Sequence, residues 1–130
     1  MLANHPHILV VDDDVEIGFL LGELLDKLEY KVTNVQRSPD ALELIKDKKN
    51  DFDLVISDLS MPTMSGIQLA NHIKEINKAL PVIIMTGYSE RVSQAKLKEM
   101  NVEDIMGKPI TLKLLANTIK KVLSVPNKSN

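Results

Sequence analysis

Short runs of apolar residues alternate along the chain with longer stretches in which apolar residues recur every three or four positions. Such runs are typical of strands that are buried on both faces of a parallel sheet. They occupy residues 7–11, 54–56 and 81–85, and residues 102–106 form a further short strand. Residues 31–36 are more polar and alternate around Val32 and Val35, as an edge strand does. The pattern therefore predicts five strands.

The intervening stretches predict five amphipathic helices. The first helix has a strong apolar stripe, formed by Ile17, Leu20, Leu21, Leu24, Leu25 and Leu28. Helix starts are indicated by Ser38 before Pro39, by Ser65 with Gln68 in a capping box, by Ser89 and by Thr111. The helix after Ser89, which runs to about Met100, has the poorest stripe. The last helix places on one face Leu112, Leu115, Ile119, Val122 and Leu123.

Strands that alternate with helices of about ten to fifteen residues indicate βαβ units and a parallel sheet. Right-handed crossovers then place helices on both faces of the sheet, which makes a doubly wound α/β fold. We expect one domain over residues 1–130, with a core at about residues 7–124 and polar tails at both ends. Ligands of such folds bind outside the carboxyl ends of the strands.

Chemically capable side chains follow four of the predicted strands. Asp12 and Asp13 follow the first strand, Asp58 ends the third, Thr86 follows the fourth, and Lys108 follows the fifth. Taken singly, each has an ordinary explanation as a turn residue or as an acidic residue at a helix N-terminus. Because the carboxyl ends of parallel strands lie at one edge of the sheet, the coincidence of all four favours a functional site.

The chemistry of this set points to phosphoryl transfer. Three crowded carboxylates raise one another's pKa unless a positive group lies among them. A hard divalent cation such as Mg²⁺ suits oxygen ligands of this kind. Lys108 adds a point charge and Thr86 adds a hydrogen-bond donor, both suited to phosphoryl oxygens. A carboxylate nucleophile with these partners works through an aspartyl phosphate.

The composition argues against nucleic acids and membranes as binding partners. Sixteen basic and eighteen acidic residues give a net charge of -2, which offers no case for direct nucleic-acid binding. We expect no membrane association, because no apolar segment approaches the roughly 18 residues of a membrane span and no basic run is present. The chain has no cysteine, which rules out disulfides and suits a cytoplasmic location.

These sequence motifs occur together in one protein family. The matching segments are Ile8-Leu9-Val10-Val11-Asp12-Asp13, Asp58 with Met61-Pro62 and Met64-Ser65-Gly66, Met85-Thr86-Gly87, and Lys108-Pro109. Over essentially its full length the chain resembles the receiver domain of a two-component response regulator. The resemblance implies a flavodoxin-like strand order 2-1-3-4-5. It also implies that Asp58 accepts a phosphoryl group from a sensor histidine kinase or a phosphotransfer domain.

The same resemblance implies the roles of the residues around Asp58. Mg²⁺, or Mn²⁺, would be held by Asp13, Asp58 and the backbone carbonyl of Ser60, with Asp12 acting largely through water. Lys108 and Thr86 would contact the phosphoryl group. In this family the peptide bond before the proline of the lysine–proline pair, here Pro109, is typically cis.

The chain departs from the family at the position that usually reads the phosphorylated state. Ile105 stands where the family has an aromatic residue whose ring swings inward as the threonine moves toward the phosphate. We therefore expect Thr86 and Ile105 to form a readout that runs differently. Ser60, Gly87 and Tyr88 occupy positions that control access to the acyl phosphate, and the Tyr88 ring is expected to slow hydrolysis.

The leading hypothesis is a phosphorylation-dependent signalling domain, not an enzyme, that shifts an output surface on the last helices and strand toward an unknown downstream protein or domain. The alternative is a phosphorylation-independent interaction module with the same fold. A multiple-turnover phosphatase would need a second aspartate two residues after Asp58, where Ser60 stands. Residues 12–23 partly match a calcium-binding loop, but Ile17 occupies the position that requires glycine.

Overall fold

A computed structural model describes residues 5–47, 51–87 and 93–124. Five parallel strands form one sheet in the order β2-β1-β3-β4-β5, with five helices between and after them. The strands are β1 (His7–Val11), β2 (Lys31–Val35), β3 (Leu54–Asp58), β4 (Val82–Thr86) and β5 (Asp104–Gly107). The helices are α1 (Val15–Lys27), α2 (Ser38–Asp47), α3 (Gly66–Ile76), α4 (Gln94–Glu99) and α5 (Leu112–Ser124). The predicted doubly wound fold and its strand order are confirmed.

Two apolar cores lie on opposite faces of this sheet. Successive side chains of a strand point to opposite faces, so Leu9 and Val11 enter one core, whereas Ile8 and Val10 enter the other. The first core also contains buried residues of α2, α3 and α4, and the second contains those of α1 and α5. This two-sided burial explains why β3 and β4 are continuous apolar runs. Among the described residues, no helix combines the length and apolarity needed to cross a bilayer.

Side-chain caps fix the starts of three helices, two of which the sequence indicates. Asp14 is the N-cap of α1, and its carboxylate accepts a hydrogen bond from the Glu16 amide at 3.0 Å. The capping box predicted at the start of α3 is present in full. Thr111 Oγ1 accepts from the amide of Leu114 at 3.1 Å, at the start of α5. The three caps orient the helices that leave the carboxyl edge of the sheet.

One predicted cap is wrong, and another lies outside the described residues. Ser38 is the first residue of α2, and its hydroxyl donates to the distant backbone carbonyl of Met64 at 3.0 Å. The local pattern predicted that this hydroxyl would cap α2, but it bonds to a neighbouring loop instead. Ser93 caps α4, where the pattern favoured Ser89, which itself lies outside the described residues.

Two members of the predicted apolar stripes are exposed. Leu20 of α1 is 48% exposed and Leu112 of α5 is 39% exposed. Each helix buries a narrower stripe than its apolar pattern suggests, because only the residues aimed at the sheet reach the core. In α5 the buried set is Leu115, Thr118, Ile119 and Val122.

Gly66 brings the first turn of α3 against the end of β3. Its amide donates to the Leu59 carbonyl at 2.9 Å, which closes the β3–α3 loop. A Cβ at residue 66 would collide with the backbone carbonyl oxygen of Asp58 and would lie 2.9 Å from Cδ1 of Ile84. A glycine is therefore required by close packing, and it fixes the loop that follows Asp58.

We expect Gly66→Ala to destabilise the protein by about 1–3 kcal/mol, because the added methyl group overpacks the contact with Asp58. Helix propensity alone would make the alanine variant more stable by about 1 kcal/mol. The expected change in the free energy of unfolding therefore has the opposite sign to the effect of propensity. Urea unfolding measures the change. Gly87→Ala is the matched control, since a Cβ there meets nothing within 4 Å. A Gly66→Ala protein as stable as Gly87→Ala would contradict the packing account.

Candidate functional site

The carboxyl ends of four adjacent strands bring the predicted site residues to one rim. Asp58 and Thr86 are the last residues of β3 and β4, Asp12 and Asp13 follow β1, and Lys108 follows β5. The strand order reverses between β1 and β3, which is where doubly wound folds form a crevice for ligands. This reversal is the topological switch point of the sheet, and the acidic residues lie on both sides of it.

Three carboxylates form a compact acidic cluster, which we define as Asp12, Asp13 and Asp58. Each offers one oxygen atom, and these atoms all lie within 4.8 Å of one another. Asp12 and Asp58 are buried, with 2% and 7% of their surface exposed, whereas Asp13 is exposed. Oδ1 of Asp12 accepts a hydrogen bond from the Asp14 amide at 2.9 Å, but the buried Oδ2 has no hydrogen-bond partner among the described residues. Such a buried oxygen atom can accept a hydrogen bond from a cation's bound water or bind a hard cation directly, so it fits a cation site.

Burial dominates the electrostatics of Asp12. It raises the pKa of Asp12 to about 6, and the hydrogen bond from the Asp14 amide offsets part of that rise. The charge of Asp58 raises the pKa further, whereas the charge of Lys108 lowers it. An ionised Asp12 is therefore costly here in the absence of an additional positive charge.

Lys108 supplies one positive charge to the cluster. Its Nζ lies 2.6 Å from Oδ1 of Asp58, so an ion pair joins the end of β5 to the end of β3 across β4. Burial alone would lower the pKa of Lys108, but the hydrogen bond and the charge of Asp58 outweigh it, and the pKa is raised. Lys108 therefore stays an ammonium ion. Its backbone amide donates to the Thr86 carbonyl at 2.8 Å, and the Lys108–Pro109 peptide bond is cis.

The loop after Asp58 adopts a conformation that β-branched residues rarely take. Thr63 has a φ of 74°, and the Met64 amide donates to the Pro62 carbonyl at 2.7 Å, which together form a γ-turn. Such a backbone costs about 1–3 kcal/mol and persists only where its surroundings hold it. The buried hydroxyl of Ser38 is one of those restraints, through the Met64 carbonyl. The local sequence around Ser38 gives no signal of this contact.

Three of the remaining predicted residues lie at this rim. Thr86 is buried at the end of β4, whereas Ser60 and Gly87 are exposed beside it. Ile105 is half-buried and packs against the first core. Tyr88 lies outside the described residues. The structure thus brings the acidic cluster and Lys108 into one contact network, and the readout assigned to Ile105 stays a prediction.

Comparisons with known proteins agree with this arrangement. Residues 8–120 match the family model of the response regulator receiver domain. The chain is 35% identical over 127 residues to the two-component response regulator ARR10 of Arabidopsis thaliana, covering 95% of this chain and 23% of that protein. It is 35% identical over 124 residues to the transcriptional regulatory protein ZraR of Salmonella typhimurium, covering 95% of this chain and 28% of that protein.

A solved structure shows the same likeness in three dimensions. The response regulator protein TrrA of Thermotoga maritima, in complex with Mg²⁺ and BeF, is 31% identical with a TM-score of 0.77, covering 91% of this chain and 99% of that chain. The chain spans about a quarter of the length of the curated relatives that it matches. With the fold, the family model and these relatives in agreement, the chain belongs to the receiver domain family of two-component response regulators.

Proposed function

We propose that this receiver domain is a cytoplasmic signalling element that accepts a phosphoryl group on Asp58 from the phosphohistidine of a sensor histidine kinase or phosphotransfer domain. The observation that carries the proposal is the 2.6 Å ion pair between Lys108 and Asp58, placed within the acidic cluster at the strand switch point. A phosphorylation-independent module would have no use for the buried Asp12 oxygen, which lacks a partner among the residues that the structure describes.

In the proposed reaction an Asp58 oxygen attacks phosphorus, the new O–P bond forms, and the N–P bond to the donor imidazole breaks. Lys108 lies where its ammonium can contact the phosphoryl oxygens while it remains beside Asp58. Thr86, at the adjacent strand end, would offer its hydroxyl to the same group. Catalysis of this kind is mainly positioning and charge stabilisation, which preformed strand ends provide.

The acidic cluster suits Mg²⁺ or Mn²⁺. Asp13, Asp58 and the backbone carbonyl of Ser60 would hold the cation, and the buried Oδ2 of Asp12 would accept a hydrogen bond from one of its waters. When bound, the cation neutralises carboxylate charge and charge on the phosphoryl oxygens. The TrrA complex with Mg²⁺ and BeF supports this assignment.

Apolar side chains next to the site suit a protein donor. Val15 and Phe19 are 59% and 66% exposed on α1, which begins two residues after Asp13. Large exposed apolar side chains that adjoin a functional site mark a partner surface. A protein seated on α1 would bring its phosphohistidine to the carboxyl edge of the sheet.

The phosphorylated state would be read through α4, β5 and α5. Thr86 and Ile105 link the site to this side, and Ile105 already packs in the first core. An ion pair between Lys121 and Asp104, at 2.9 Å, joins α5 to β5 on the same surface. The domain assists its own transfer and dephosphorylation and has no other catalytic role.

Incubation with acetyl phosphate and Mg²⁺ should add the mass of one phosphoryl group to the protein, and the adduct should be stable in acid and labile in base. We expect Asp58→Asn to abolish the addition, because the nucleophile is lost. Asp47→Asn makes the same chemical change at an exposed position of α2 and should leave the addition intact. Intact-protein mass spectrometry measures it. Equal addition on Asp58→Asn, or none on the wild type, would contradict the proposal.

In metal-free protein, Asp12 should lower the stability as the pH rises. Its pKa of about 6 in the folded protein exceeds the ordinary value of 3.8, so the folded state binds more protons than the unfolded state between these values. Protonated Asp12 makes its whole contribution to the free energy of unfolding below about pH 4. This contribution is lost as the pH rises through about 6. We therefore expect Asp12→Asn to be more stable than the wild type above about pH 7, by up to about 3 kcal/mol.

Urea unfolding in EDTA at about pH 4 and about pH 7.5 tests the Asp12 prediction. The two proteins should differ little at the lower pH, because Asp12 is then largely protonated. Saturating Mg²⁺ at the higher pH should narrow the gap, because the cation stabilises the wild-type cluster. A metal-free Asp12→Asn protein that is less stable than the wild type at the higher pH would show that burial of this charge carries no such cost.

A further inference from the structure

Ser38 makes a tertiary contact that its position in the chain does not suggest. The residue is 1% exposed, and its hydroxyl donates to the carbonyl of Met64, which is 26 positions away, at 3.0 Å. The same oxygen lies 3.8 Å from the sulfur of Met61. The first turn of α2 is therefore tied to the middle of the loop that follows Asp58.

That loop needs an external restraint. It begins at Asp58, passes Ser60, adopts the strained γ-turn at Thr63, and closes where the Gly66 amide donates to the Leu59 carbonyl at 2.9 Å. The lack of a side chain at Gly66 seats the end of the loop against the Asp58 backbone. Both of these contacts lie at the base of the loop, so neither holds its middle.

The Ser38 hydroxyl holds the middle of the loop. It reaches the residue directly after the strained position, and burial makes this hydrogen bond costly to lose, because the Met64 carbonyl would lose its donor. Strained backbone persists where neighbouring contacts over-determine it. The α2 helix thus acts as a fixed support for the β3–α3 loop.

We propose that Ser38 is a positioning residue for the cation site, which acts by holding the loop that carries the Ser60 carbonyl. The inference rests on the proposed function, in which Ser60 and Asp58 at the start of this loop are ligands. Groups that orient the ligands of a metal without touching it strongly affect the affinity of the protein for that metal. The reason is that a protein ligand that must become ordered when the metal binds lowers the affinity. Ser38 would accordingly set cation affinity from outside the cluster.

The test compares Ser38→Ala with Thr118→Val, which removes a buried hydroxyl from α5 on the opposite face of the sheet. Amide hydrogen exchange of residues 59–66 is measured in metal-free protein. The dissociation constant for Mg²⁺ is measured by NMR titration without a phosphodonor. We expect Ser38→Ala to exchange faster in this loop and to bind Mg²⁺ about threefold to tenfold more weakly. Thr118→Val should match the wild type in both measurements.

The two readouts separate failure of this inference from failure of the proposed function. If the wild type binds Mg²⁺ and becomes phosphorylated but Ser38→Ala has the same affinity, the positioning role is refuted. An affinity loss of equal size in Thr118→Val would also refute it, because the effect would then follow general stability. If the wild type binds no Mg²⁺ at the cluster, the proposed function fails, even where faster loop exchange in Ser38→Ala still supports the loop restraint.

Discussion

The ion pair between Lys108 and Asp58 is the interaction on which the site depends. Asp12, Asp13 and Asp58 crowd their negative charges at the ends of two neighbouring strands. Lys108 reaches Asp58 from β5 across the end of β4, so its ammonium lies beside the cluster only because the strand order is 1-3-4-5 on this side. The sheet thus uses its topology to place a cation next to charges that would otherwise repel one another. Within the described part of the chain, the buried Oδ2 of Asp12 still has no hydrogen-bond partner, and a divalent cation with its bound water fits this position.

The site also shows how function opposes stability in this domain. A core of apolar strands would tolerate neutral residues at their ends more readily than a buried Asp12 whose pKa is raised to about 6. The γ-turn at Thr63 adds a second local cost in the loop that follows β3. Features of this kind concentrate where a binding site must be preformed, and the surrounding packing supports them. Gly66 and Ser38 supply that support from the base and the middle of the β3–α3 loop.

Most of the architecture followed from residue patterns because the decisive signals are local. Apolar runs identified the buried strands, and polar residues at their carboxyl ends predicted the rim before any distance was known. The contacts that hold the rim together are non-local, and the sequence did not reveal them. The hydroxyl of Ser38 looked like a helix cap, since serine before proline is a cap pattern, yet it bonds a carbonyl of another segment. Periodicity likewise placed Leu20 and Leu112 in apolar stripes but could not tell how wide a stripe each helix buries.

The most direct test of the central claim is a crystal structure of the wild-type protein grown with Mg²⁺ and beryllofluoride, a stable mimic of a phosphoryl group. The proposed site predicts beryllium bonded to an Asp58 carboxylate oxygen, a cation on Asp13, Asp58 and the Ser60 carbonyl, and Lys108 Nζ in contact with fluoride. Beryllofluoride attached at another residue, or a cation bound away from the acidic cluster, would contradict the assignment of Asp58 as the acceptor and of this rim as the site.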